Sequence, residues 1–247
     1  MCYVGAMPFE PRPSTPSPYV LRSEAPAYAA ESAERTFFAS VYRWMALGLV
    51  VTAVVAFATA SGLASGAIPF NKWVFYGLMF AELGLVIAIS AMVQRLSAAA
   101  AGGLFLLYSA LNGATLSLVL LVYTGASVAS AFAITAGTFG AMSVYGTVTK
   151  KDLTSWSSFL FMGLFGVVIA GLVNVFLQSD AMSFVISCAA VVVFTGLTAY
   201  DTQKLRVFAR QGGGTVAAAP VAGALTLYLD FINLFLAILR LFGDRRR

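Results

Sequence analysis

The sequence contains no histidine. That removes the commonest general base and the commonest metal ligand. Ser-His-Asp hydrolysis, His-ligated zinc and haem held on histidine are all excluded. Charge is scarce as well: 10% of the 247 residues are charged, where a soluble domain carries about 25%. The two cysteines, Cys2 and Cys188, lie in the leading stretch and in a long apolar segment. A disulfide between them is therefore not expected, and they do not report a redox compartment. Proline is nearly absent from the body of the chain, because six of the eight prolines fall within residues 1–35.

What fills the chain is apolar. Hydrophobic residues make up 60% of it, and the mean hydropathy is +0.88. With the long apolar runs, this identifies an all-α polytopic membrane protein. No stretch remains for a sizeable soluble domain. Residues 1–35, rich in Pro, Ser and Ala, read as a disordered cytosolic tail. The tail has no apolar run of the signal-peptide kind, and Glu10, Glu24, Glu31 and Glu34 argue against a mitochondrial transit peptide. Residues 36–243 read as the transmembrane domain, and 244–247 as a basic C-terminal tail.

Seven apolar segments are expected as spans, roughly 38–62, 73–93, 100–123, 127–148, 156–177, 181–209 and 217–241. Each is long enough to cross a bilayer core as a helix. Very short connections, such as Gly125-Ala126 and Gln178-Ser179-Asp180, force antiparallel neighbours. Small residues at helical spacing, Ala133, Gly137 and Ala141, and Gly62 with Gly66, are expected to let backbones approach closely.

The net charge of +5 reads as an orientation signal rather than nucleic-acid affinity. The connections after spans two, four and six carry Arg95, Lys150, Lys151, Lys204, Arg206 and Arg210, and the others only Lys72. This bias puts the N-terminus in the cytosol, and seven spans put the C-terminus outside. The closing Arg245-Arg246-Arg247 opposes that placement. The alternative is a re-entrant last segment, but 217–241 is long enough to cross.

Three acids interrupt the apolar segments. Glu82 lies at the centre of the second span, Asp201 in "TAYDTQKLR" of the sixth, and Asp230 in "LYLDFINLFL" of the seventh. No Pro or Gly follows Asp201 until Gly212-Gly213-Gly214, so the sixth helix is expected to run to about Arg210. If the glycines make the hairpin turn, Asp201 lies about fourteen residues before it and Asp230 about fifteen after. Both then stand roughly 20 Å from the turn, at one depth. An ionised carboxylate at mid-bilayer costs at least ~2.5–3.5 kcal/mol, so such residues usually face a cavity or a partner and mark ion or proton paths. Two close carboxylates repel, and the pair is expected to share a proton. A purely structural role, fixing packing through buried hydrogen bonds, is the alternative for each acid. Arg95, Arg43 and Arg210 are candidate cationic partners, with none assigned by spacing. Asn112, Asn174 and Asn233 add polar points, and Asn233 shares a helical face with Asp230.

"AYDTQKL" at 199–205, followed by "LYLDFINLFL" at 227–236, resembles the Bax-inhibitor-like family, also called the transmembrane BAX-inhibitor-motif family. "FAELGLV" at 80–86 and "LRLFG" at 239–243 fit the same pattern. The likeness spans residues from about 35 to 243. It implies a fold in which six helices surround a central seventh, and a pH-sensitive calcium leak gated by an aspartate pair. Asp201 and Asp230 match the family's pair, Glu82 matches an acid of the second helix, and Arg95 is the candidate counter-ion. Some bacterial relatives are described as partners of a membrane protease.

The expected function is a cation conduit for Ca²⁺ in a bacterial inner membrane. Protons act on Asp201 and Asp230, which would contact the permeating ion transiently, and no resident cofactor is required. Ca²⁺/H⁺ exchange through the same acids is a related reading. A second class is an interaction protein that restrains other membrane proteins. An enzyme is not expected: an aspartyl intramembrane protease carries Gly-x-Gly-Asp where this chain has Leu227-Tyr228-Leu229-Asp230. A retinal protein is excluded because the seventh span has no lysine.

Overall fold

A computed structural model describes residues 18–93 and 95–246, with side chains from residue 31 onward except at 94 and 215. Seven long helices follow in order: α1 Pro18–Ala64, α2 Lys72–Met92, α3 Ala98–Val122, α4 Gly125–Val148, α5 Ser157–Leu177, α6 Asp180–Arg210 and α7 Ala219–Phe242. Short 3₁₀ turns, Leu153–Trp156 and Gly213–Thr215, precede α5 and α7. All seven helices are long and apolar enough to cross a membrane, with the apolar part of α1 running Glu31–Ala64. The helix α1 begins at Pro18, inside the stretch read from sequence as a tail, and residues 1–17 lie outside the described residues.

Local chemistry makes the short connections work. A helix leaves its first amides without intrahelical partners, and a hydroxyl or amide oxygen just before it accepts from them. Asn71, Ser97, Thr124 and Ser179 do this for α2, α3, α4 and α6. Thr124 directly follows Tyr123, so α3 reverses into α4 with almost no loop. Between α5 and α6, Gln178 takes a left-handed conformation (φ 49°) and Asn174 Oδ1 accepts from the Ser179 amide at 3.1 Å.

Consecutive helices run antiparallel, and α7 is the most enclosed. Its most apolar stretch is 72% buried, against 6% for α2 and for α5. It touches α1, α2, α3, α4 and α6, while α5 leans on α6. Leu227, Tyr228, Leu234 and Leu239 of α7 are almost completely covered. Outward-facing Phe80, Phe165 and Phe176 are exposed, as suits side chains whose solvent is lipid.

Close backbone approach occurs at positions other than those expected. A Cβ on Gly113 of α3 would stand 2.6 Å from the Thr52 carbonyl oxygen of α1, and one on Gly146 of α4 would collide with that of Ala199 in α6. The row Ala133, Gly137 and Ala141 is exposed instead, and a Cβ on Gly137 would meet nothing. The buried face of α4 is Ala131, Thr135, Phe139, Ser143 and Gly146. Thr135 reaches that face because its hydroxyl donates to the Ala131 carbonyl at 2.7 Å, so it carries no unmet polarity into the core.

The last residues fix how α7 ends. Tyr123 and Arg245 form an antiparallel bridge, with Arg246 N donating to Val122 O at 2.8 Å and Thr124 N to Asp244 O at 3.0 Å. The chain end is therefore tied to the α3–α4 connection, opposite the α6–α7 turn. A re-entrant α7 would have returned its end to that turn; α7 instead runs the full length of the bundle. Which end faces the cytosol is set by charge and not by these contacts.

Candidate functional site

The α6–α7 hairpin brings Asp201 and Asp230 together. The helix α6 continues unbroken to Arg210, and Gly212 turns the chain with φ 82°, a left-handed value that costs glycine little. The two carboxyls are side-chain hydrogen-bond partners. Two acids in such contact repel when both are ionised, and a single proton between them would turn the repulsion into a bond. Asp230 is 4% exposed, and no hydroxyl or amide of the described residues reaches its Oδ2. Asp201 is half-buried. Neighbouring Thr198 and Thr202 spend their hydroxyls on their own helix, donating to Phe194 O and Thr198 O at 2.7 Å each.

A cavity of 590 Å³ opens from Asp201 to the end of the bundle that carries the basic connections. Its wall includes Thr226, Lys204, Gln203, Asp152 and Val93, drawn from α7, α6, the α4–α5 connection and the end of α2. Gln203 builds one side: its Oε1 accepts from Leu153 N at 2.8 Å and its Nε2 donates to Lys151 O at 2.9 Å. Asp152 at the rim accepts from the Thr154 hydroxyl and amide, which hold its carboxyl below the usual carboxylate range. It is thus a fixed negative charge at the mouth. Beyond the pair, Leu234, Phe235, Ile238 and Leu239 of α7 pack against Val193, Phe194 and Leu197 of α6, with no comparable opening described.

The other predicted residues fall in different places. Arg95 lies exposed in the turn after α2, and among the described residues it makes no salt bridge to either aspartate. Lys204, three residues along α6, is the charged residue beside Asp201 in the cavity wall, and its ammonium stands 6.0 Å from the centre of the Tyr200 ring. Asn233 donates to Leu229 O at 2.8 Å, within its own helix. Arg210 pairs with Glu34 instead of an aspartate.

Glu82 belongs to a separate network. Asn112 Nδ2 donates to its Oε2 at 3.2 Å and Thr115 Oγ1 to its Oε1 at 2.9 Å. The Tyr228 hydroxyl donates to Asn112 Oδ1 at 3.0 Å and lies 2.6 Å from Thr52 Oγ1. This chain joins α2, α3, α7 and α1. Tyr228 escaped notice in the sequence, although a tyrosine two residues before a buried aspartate, on the opposite helical face, was the available signal. Glu34 was also missed. Its carboxylate takes Arg206 Nε at 2.9 Å and Arg210 Nε, while Arg206 Nη1 reaches the Thr147 carbonyl, so α1, α4 and α6 are tied at the basic end.

These features define a seven-helix membrane protein whose last hairpin joins two carboxyls beneath a cavity open at one end. Residues 34–247 match the family profile described as inhibitor of apoptosis-promoting Bax1, and the chain belongs to this Bax inhibitor-like family. It is 51% identical over 217 residues to "Inner membrane protein YbhL" of Escherichia coli K12, covering 86% of this chain and 93% of that one. An uncharacterized protein of Deinococcus radiodurans is 49% identical over 215 residues, covering 85% of this chain and 91% of that relative. One of Borreliella burgdorferi is 47% identical over 214 residues, with 85% and 92% covered.

Proposed function

We propose that the protein is a pH-sensitive cation leak for Ca²⁺ in a bacterial inner membrane, gated by the Asp201–Asp230 pair. The observation that carries this reading is the carboxyl pair itself, one member sealed in the core and the other open to a cavity. A pair of oxygen-bearing acids suits brief contact with a hard cation, which is the cargo rather than a resident cofactor. With one proton the pair is a bonded couple that holds α6 to α7. With none it is two repelling charges. With two it is neutral and has no charge to offer a cation. Each change in proton number alters both helix spacing and the field along the path. The packed layer beyond the pair corresponds to a closed state, and α6 against α7 is the seam that must part. Ca²⁺/H⁺ exchange would use the same two carboxyls.

The location follows that of the Escherichia coli relative, which is named as an inner membrane protein. The basic connections favour the cavity end in the cytosol. Calcium efflux from liposomes holding the purified protein, measured from pH 5 to pH 8, tests the reading. A leak above that of empty liposomes, with a pH step that Asp201→Asn alters, supports it. The same packed layer favours the second reading, an interaction protein that restrains another membrane protein, if no flux appears at any pH.

A further inference from the structure

A second cavity, of 480 Å³, lies at the basic end on the other side of the α6–α7 turn. One wall is α1, with Thr36, Ser40 and Arg43 on one helical face; the opposite wall is Gly212, Gly214 and Pro220. The Phe37 ring borders it, and a Cβ on Gly214 would come 3.4 Å from that ring. Two properties of this cavity suit an anion. Arg43 is exposed and forms no ion pair among the described residues, whereas the acids earlier on α1 are engaged: Glu34 by Arg206 and Arg210, Glu31 by Arg35. The Ser40 hydroxyl, half-buried one turn away, makes no hydrogen bond to another described residue. Pro220, in the first turn of α7, closes the opposite wall and carries no N–H of its own.

The chemistry that combines a planar, permanently charged guanidinium, a hydroxyl donor and a glycine turn is phosphate recognition. The position narrows the ligand further. Arg43 sits early in the apolar part of α1, where a long side chain extends to the membrane surface, and basic pockets at that level take anionic headgroups. We propose that this cavity binds a phosphate group at the membrane surface, that of an anionic phospholipid headgroup or of a soluble phosphate, with Arg43 as its charge partner and Ser40 as a donor. The site is separate from the Asp201 cavity and does not depend on ion conduction. An occupant would bridge α1 to the α6–α7 turn and steady the hairpin that carries both aspartates.

The test uses the full chain in detergent, titrated with phosphatidylglycerol, phosphatidylcholine or inorganic phosphate at constant ionic strength, with the melting midpoint recorded. Phosphatidylglycerol is expected to raise the midpoint at lower concentration than phosphatidylcholine. Arg43→Gln should then need at least tenfold more phosphatidylglycerol for the same rise, and Ser40→Val several-fold more. Arg35→Gln, at the same end but paired with Glu31, should behave as the unaltered chain. A rise with inorganic phosphate that Arg43→Gln abolishes assigns the cradle to a soluble phosphate. Equal responses to the two lipids with none to phosphate, an unaffected Arg43→Gln, or equal losses in Arg35→Gln and Arg43→Gln would overturn the site.

Discussion

The Tyr228 hydroxyl of α7 lies 2.6 Å from Thr52 Oγ1 of α1, inside a core where both residues are covered. The same hydroxyl donates to Asn112 on α3, and its ring meets Phe105 and Tyr108 edge-on at 5.6 and 5.7 Å. Tyr228→Phe keeps those ring contacts and removes only the oxygen. Asn112 Oδ1 then loses its donor. The expected loss is about 1 kcal/mol, since buried hydrogen bonds within membranes are worth about 0.6 kcal/mol on average and an orphaned acceptor adds to this. Thermal unfolding in detergent reads it, and an unchanged midpoint would show that the network reorganises freely.

Asp201 and Asp230 should titrate as one unit. Removing either carboxyl relieves the repulsion felt by the other, so the midpoint of leak against pH moves lower or the curve flattens. The double change to Asn should add little to the worse single change, because coupled residues are not additive. Calcium efflux for Asp201→Asn, Asp230→Asn and the double variant measures this. Independent, additive shifts would remove the gating proposal.

Glu82→Gln should alter flux more than folding. Asn112 is held in one orientation by its bond from Tyr228, so it still donates to the new side-chain oxygen. Thr115 Oγ1 also reaches Asn112 O at 2.9 Å, so its proton has a second acceptor while its oxygen takes the new amide N–H. Glu82→Leu offers no acceptor and should destabilise by about 1–3 kcal/mol. If Glu82→Gln melts as early as Glu82→Leu while its folded fraction leaks normally, the acid serves packing alone.

Glu34→Gln should loosen the basic end. Glu34 is 13% exposed and Arg206 27%, so the pair is partly shielded and worth more than a surface bridge, about 1 kcal/mol. The loss should shrink in high salt, since screening already weakens the pair in the unaltered chain. A salt-independent loss of midpoint would point to packing by the side chain instead.

A phosphatase fused after Arg247 should be active outside the cytosol, and a fluorescent reporter that matures only in the cytosol should stay dark. The α3–α4 connection, tied to the chain end by the Tyr123–Arg245 bridge, should report the same side when a tag is placed there. Opposite readings from the two positions would contradict the observed pairing.

Much of the fold was legible before any coordinates. Helix existence needs only length and apolarity where no water can satisfy a broken backbone, so the spans could be placed within a few residues except at the start of α1, which reaches back to Pro18. Gly212-Gly213-Gly214 marked the last turn, and helices uninterrupted on both sides allowed Asp201 and Asp230 to be set at one depth by counting. Helix faces were far less legible. Core and lipid are both apolar, so periodicity does not separate them, and the small row of α4 was assigned to packing when it lies outside.

The sequence by itself determined that this membrane protein has seven helices long and apolar enough to cross a bilayer, that its basic connections share one end, and that three acids lie within apolar segments where charge is expensive. Those outcomes follow from composition, length and spacing along single helices. Tertiary structure decided which acids meet. It paired Asp201 with Asp230, gave Glu82 to Asn112 and Thr115, and left Arg95 exposed while Lys204 stands beside Asp201. It also drew Glu34 to Arg206 and Arg210, and made Tyr228 the point where α1, α3 and α7 join. These partners lie far apart in sequence, and only the rotation of each helix about its own axis brings them within a hydrogen bond.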